Sequence, residues 1–215
     1  MTNTVNKYST TFLYSSSNDL YSHLVRFVLA EKNVSADIIE IEPNDLNQEL
    51  LDINPYNTVP TLVDRELVLY NSKVIVEYLE ERFPHPPLMP IYPVKRAQYR
   101  LMMERIQTEW YQLANDILQN KNVTENRREL NESILAIASI FKETDFFMSE
   151  EFSLLDCFLA PLFWRLPLLG IELTGNNGLI IKDYMTKIFE KESFILSLTS
   201  EERKFKVGIY DKLSF

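Results

Sequence analysis

Apolar and polar positions follow two periods up to Phe83 and a single helical one beyond Pro93. TTFLY (Thr10–Tyr14) is β-branched and aromatic, which predicts a short strand. SSSND follows, a cluster of capping and turn residues. Leu20, Leu24, Phe27 and Val28 then line one helix face. Asn33 is placed to take the left-handed position that ends this helix. ADIIEIE (Ala36–Glu42) reads as a second strand. The order strand, helix, strand predicts a parallel pair joined by a right-handed crossover.

NDLNQELLDINP predicts a short capped helix that ends before Pro55. TVPTLVD and ELVLY flank Arg65 and read as an antiparallel hairpin with a tight turn. Asn71 or Ser72 caps the next helix, with Ile75, Tyr78, Leu79 and Phe83 on one face. Pro84 stops it, because proline disfavours helical geometry in the residue before it. Past Pro93, Met102, Ile106, Trp110, Leu113 and Ile117 repeat at helical spacing. Glu125–Phe141, Leu154–Leu169, Leu179–Phe189 and Ser200–Phe205 continue that pattern, and no strand pattern intervenes. The fold class is an α/β half followed by an all-α half.

Charge and composition narrow the function. The net charge of -9 argues against sequence-independent binding to a nucleic-acid backbone. Only 4 glycines occur, and neither a P-loop nor G-x-G-x-x-G is present. Cys157 is the one cysteine, so no internal disulfide forms, and a reducing compartment, the cytosol, is expected. Cys157 sits in an apolar helix and reads as a buried, inert thiol. MTNTVNKYSTTFLY lacks a signal peptide's layout, and no apolar run approaches the ~20 residues of a membrane span.

ERFPHPPLMPIYP (Glu81–Pro93), between the two halves, collects prolines around His85. From Arg82 to Met103 the charged residues are Arg82, Lys95, Arg96 and Arg100, with no Asp or Glu, a local inversion of sign in an acidic chain. Arg96 and Arg100 share a helix face. Stiff prolines lower the entropy lost when a surface docks, and Tyr92 and His85 offer amphipathic contact. The stretch therefore reads as a contact surface as well as a connection.

Two short motifs complete the picture. TVP (Thr58–Pro60), taken alone, is an ordinary trans proline at a strand start. In a thioredoxin-like domain it marks a cis peptide that exposes the backbone of Val59 to an extended ligand. FSLLD (Phe152–Asp156) is close to a capping box, Ser153 with Asp156, and serves folding rather than chemistry.

NTVPTLVD, LYNSKVIVEYL and the Ser-x-x-Asp box resemble the glutathione S-transferase superfamily. DLYSHLVRFVLAEKNV, EYLEERFPHPPLMPIYP and EFSLLDCFLAPLFWRLPLLGIEL are similar, more narrowly, to the bacterial stringent starvation protein A family. The resemblance implies a thioredoxin-like domain over residues 1–88, an all-helical domain over 93–215 and a Pro-rich joining segment over 84–93. It implies a dimeric stress-response transcription regulator that associates with RNA polymerase holoenzyme, the sigma factor included, and does not bind DNA alone. The contact patch would be Pro84, His85, Pro86 and Pro87, with Tyr92 beside it. Some relatives pair with a paralogue and hold an alarmone nucleotide between subunits. For this chain no cofactor is otherwise expected, and Arg82, Lys95, Arg96 and Arg100 are the candidate anion or partner contacts.

The alternative that the resemblance brings is a divergent glutathione transferase. That chemistry needs a hydroxyl or thiol near the first helix N-terminus, where the dipole favours an anion. Tyr14, Ser15, Ser16 and Ser17 have the residue type, but Asp19 would repel a thiolate. The acid-Ser pair that holds glutathione's carboxylate reads Asn71-Ser72 here, so Val59, Pro60, Asn71 and Ser72 are expected as vestigial cofactor positions. His23 reads as a packing or surface histidine. The expected protein is not an enzyme.

Overall fold

The computed structural model describes residues 11–17, 19–42 and 47–205. They form two compact units, one of residues up to Pro86 with Leu196–Glu202, the other of Pro87–Ile195 with residues from Arg203 onward. In the first unit the order is β1 (Thr11–Ser15), α1 (Leu20–Glu31), β2 (Asp37–Glu40), α2 (Gln48–Ile53), β3 (Thr61–Asp64), β4 (Leu67–Leu69) and α3 (Ser72–Arg82). The sheet runs β2-β1-β3-β4. β1 and β2 are parallel, with Leu13 opposite Ile38, as strand-helix-strand order requires. β3 is antiparallel to both β1 and β4, with Leu62 opposite Leu13 and Leu69. The hairpin turns at Arg65, whose φ is 58°.

Side-chain alternation divides this sheet into two cores. Tyr14 and Val63 join Leu50 and Ile41 in one cluster. Leu13 and Leu62, one residue away in each strand, are buried on the opposite face. α1 packs against α3. It is buried almost without interruption from Leu20 to Leu29. Asn33 ends it in the left-handed conformation (φ 52°), and the amide of Val34 returns to the carbonyl of Leu29 at 2.9 Å. The sequence pattern had placed the first strand from Thr10 and the second helix from Asn44. Thr10 and Asn44–Leu46 lie outside the described residues. On α3, Val76 is buried, whereas Tyr78 and Phe83 are half-buried. Tyr78 turns its hydroxyl to Asp64 Oδ2 at 2.6 Å instead of joining the core.

The second unit is helical: α4 (Pro93–Arg105), a π-helical stretch (Ile106–Tyr111), α5 (Gln112–Leu118), α6 (Val123–Ala136), α7 (Leu154–Trp164), α8 (Gly175–Phe189) and α9 (Glu192–Ser197), whose last two residues belong to the first unit. The buried face of the long helical stretch is Tyr99, Met103, Ile106, Trp110, Tyr111, Ala114 and Ile117, while Met102 and Leu113 are half-buried. The π turn contributes extra residues and rotates the apolar face partway along. The expected helix Leu154–Leu169 ends at Trp164, before Pro167, and tight turns carry the chain to Gly170 (φ 68°). α9 was not foreseen. In place of a helix over Ser200–Phe205 there is a short 3-10 turn, Glu202–Phe205.

α7 is the centre of this unit, with every residue from Leu154 to Trp164 buried. Ser153 and Asp156 form the capping box. Asp156 accepts from the amides of Ser153 (2.8 Å) and Phe147 (2.9 Å) and from the hydroxyls of Ser153 (3.1 Å) and Tyr184 (2.7 Å). Burial pushes its carboxyl up to about 6, against the pull of these bonds. Cys157 is buried in the same helix. No helix among the described residues is long and apolar enough to cross a membrane.

Candidate functional site

Two places compete for function, both prepared by the first unit's helices. The first is the N-terminus of α1. Asp19 caps it, its Oδ2 accepting from the amide of Ser22 at 2.7 Å. The three serines before it are all engaged within the unit. Ser15 Oγ accepts from Arg26 Nη1 at 2.5 Å. The Ser16 amide donates to Ser22 Oγ at 3.2 Å. The Ser17 amide and hydroxyl both donate to Glu40 Oε1 at 2.6 Å. Tyr14 lies in the apolar cluster under α2. An internal carboxylate thus holds the donors of Ser17 that a bound anion would need.

The remaining cofactor-type positions are also shaped by internal bonding. Val59-Pro60 is cis, in the loop where a thioredoxin-like domain carries such a bond. Asn54 organises that loop, its Nδ2 donating to the Thr58 carbonyl (3.1 Å) and to Thr61 Oγ1 (2.9 Å). Asn71, not Ser72, is the cap of α3, and its Oδ1 accepts from the amides of Lys73 (3.1 Å) and Val74 (3.2 Å). Ser72 is buried as the first helical residue. Among the described residues no group of three or more His, Cys, Asp or Glu could hold a metal ion.

The expectation for His23 needs sharpening: its side chain is fully buried. Its Nε2 is 3.1 Å from Ser197 Oγ and its Nδ1 is 3.5 Å from Glu202 Oε1. Arg26 reaches the same carboxylate with Nη2, at 2.7 Å to each oxygen, and donates through Nε to the Ser197 carbonyl at 3.0 Å. This cluster ties the returning segment Leu196–Glu202 to α1. Sequence reasoning missed it, because its partners lie more than 170 residues apart along the chain.

The second place is the turn after α3. Arg82 ends the helix with its guanidinium 5.5 Å from the ring of Phe83. Pro84, His85, Pro86 and Pro87 are all exposed. His85-Pro86 is cis. On one side Lys32 Nζ donates to the Pro86 carbonyl at 2.6 Å. On the other, Leu88 is buried in the second unit, and its carbonyl accepts from the amide of Leu154, which opens α7, at 2.8 Å. Tyr92 is the cap residue of α4 and is 73% exposed. Of the cations, Lys95 is exposed, while Arg96 and Arg100 are half-buried. Arg96 Nη1 leans on the Pro90 carbonyl at 3.4 Å.

Residues 13–87 match the family described as glutathione S-transferase, N-terminal domain, and residues 101–192 the corresponding C-terminal domain. A stringent starvation protein A homolog of Haemophilus ducreyi is 51% identical over 201 residues, covering 92% of this chain and 94% of that one. The chain belongs to the stringent starvation protein A family. The homolog from Pasteurella multocida is 49% identical over 203 residues, covering 92% of this chain and 94% of that one. The family's frame is the transferase fold, a thioredoxin-like half with an all-helical half. A Tau class glutathione S-transferase from mango superposes with a TM-score of 0.80 at 19% identity, over 92% of this chain and 96% of that one.

Proposed function

We propose that this member of the stringent starvation protein A family is a non-enzymatic stress-response regulator of transcription. It docks on RNA polymerase holoenzyme, sigma factor included, through Pro84, His85, Pro86 and Pro87, with Tyr92 beside them. The observation that carries this reading is the contrast in exposure. The turn is exposed over four consecutive residues yet held by Lys32, while the serines at the α1 N-terminus are engaged internally. A rigid exposed turn loses little entropy on docking. Arg82 and Lys95 supply cationic surroundings in an acidic chain. Val94 (72% exposed) and Leu101 (73% exposed) lie on the outward face of α4, two turns apart, and suit a contact with a second copy.

The test is capture of purified RNA polymerase holoenzyme. The triple variant Pro84→Ala, His85→Ala, Pro86→Ala is expected to lose capture at least tenfold. The variant is expected to stay folded and to keep its native mass. Undiminished capture would remove this turn from the assignment.

A further inference from the structure

Pro84, Pro86 and Pro87 have no backbone N–H, so His85 brings the only amide in the turn. Such a segment has little with which to tie itself down by main-chain bonds. The tie comes instead from a side chain beneath it. Lys32 is the C-cap residue of α1, and its side chain is 0% exposed. Its Nζ lies 2.5 Å from Glu80 Oε2 of α3 and 2.6 Å from the Pro86 carbonyl. Burying an ion pair is a poor route to stability, because desolvation offsets the attraction. Apolar residues of similar volume would hold α1 to α3 as well. What they would lack is a donor aimed at the carbonyl of a proline-rich turn.

We propose that Lys32 is the positioning residue of the docking turn, and that an accepting oxygen of Glu80 anchors its ammonium beneath it. This rests on the docking reading above. It separates the two partners. Glu80 holds the lysine; Lys32 holds the turn.

The test uses the full chain and two variants. Glu80→Gln keeps the ammonium and an accepting oxygen, so the protein loses stability but keeps the tie. Lys32→Met with Glu80→Leu gives an apolar pair, which restores stability but removes the tie. Three readouts are compared: the denaturation midpoint, capture of purified RNA polymerase holoenzyme, and the ¹⁵N order parameter of His85. Glu80→Gln is expected to capture polymerase within twofold of wild type despite a lower midpoint. The apolar pair is expected to match the wild-type midpoint, yet lose capture at least tenfold, with the His85 order parameter falling from about 0.85 to below about 0.6. An apolar pair with wild-type order and capture would overturn the proposal, as would capture that simply follows the midpoint in both variants. If wild type captures no polymerase, the docking reading fails. The order parameter still decides whether Lys32 holds the turn.

Discussion

The N-terminus of α1 and the turn after α3 dispose of their polar groups in opposite ways. At Ser15–Ser17 the donors and acceptors are turned inward, to Arg26, Ser22 and Glu40. At Pro84–Pro87 the surface faces solvent, and one buried lysine reaches the backbone from below. Binding a small anion would require the first arrangement to be open. A fold that presents a rigid surface to a large partner needs the second. The frame by itself does not fix which of the two arrangements a chain uses.

The harshest way to break the inward half is Arg26→Met. Arg26 neutralises Glu202, and both side chains are nearly or fully buried. Removing the cation strands the carboxylate beside His23, a loss of about 3–5 kcal/mol by the usual cost of an orphaned buried charge. Chemical denaturation would measure it. A loss below about 1 kcal/mol would mean that water reaches Glu202.

The next effect bears on the outward half, through the α7 terminus whose first amide holds the Leu88 carbonyl. Asp156→Asn exchanges an acceptor for an amide that faces two backbone N–H groups, and costs about 2 kcal/mol at neutral pH. Its pH signature has a definite sign. The folded carboxyl takes up a proton near 6, the unfolded one near 3.8. Between those values the native state binds more protons, so the Asp156 contribution to stability rises as the pH falls from about 6 to about 4. The penalty of Asp156→Asn, measured as the difference from wild type, should therefore grow on acidification through that window. A difference that shrinks there would place the folded carboxyl below its ordinary value.

What the sequence discloses follows the range of the interactions. The strands, the hairpin at Arg65 and the cap at Ser153–Asp156 are written in residues a few positions apart, and they were legible. The exposed turn at Pro84–Pro87 was legible because its three prolines crowd around one histidine. Lys32 was not, because an amphipathic cation at a helix end looks the same whether it faces water or Glu80, 48 residues on. His23 and Arg26 were hidden for the same reason. The π turn after Arg105 was missed because periodicity assumes one helical pitch throughout.

Glu40→Ala releases the Ser17 amide and hydroxyl from the carboxylate that occupies them. Glu40 is itself exposed, so the loss of stability should be about 0.5–1 kcal/mol. If Glu40 alone closed a latent anion site, the variant would bind glutathione in calorimetry at millimolar concentration where wild type does not. The expected result is no binding in either protein. Asp19 still occupies the Ser22 amide with its own carboxylate, and Ser15 Oγ remains bonded to Arg26. A thiolate would meet a negative charge at the helix end that ought to attract it. Turnover of a small electrophile by the variant would reopen the transferase reading and locate its lock at Glu40. Unchanged polymerase capture in the same variant would show that the two regions work independently.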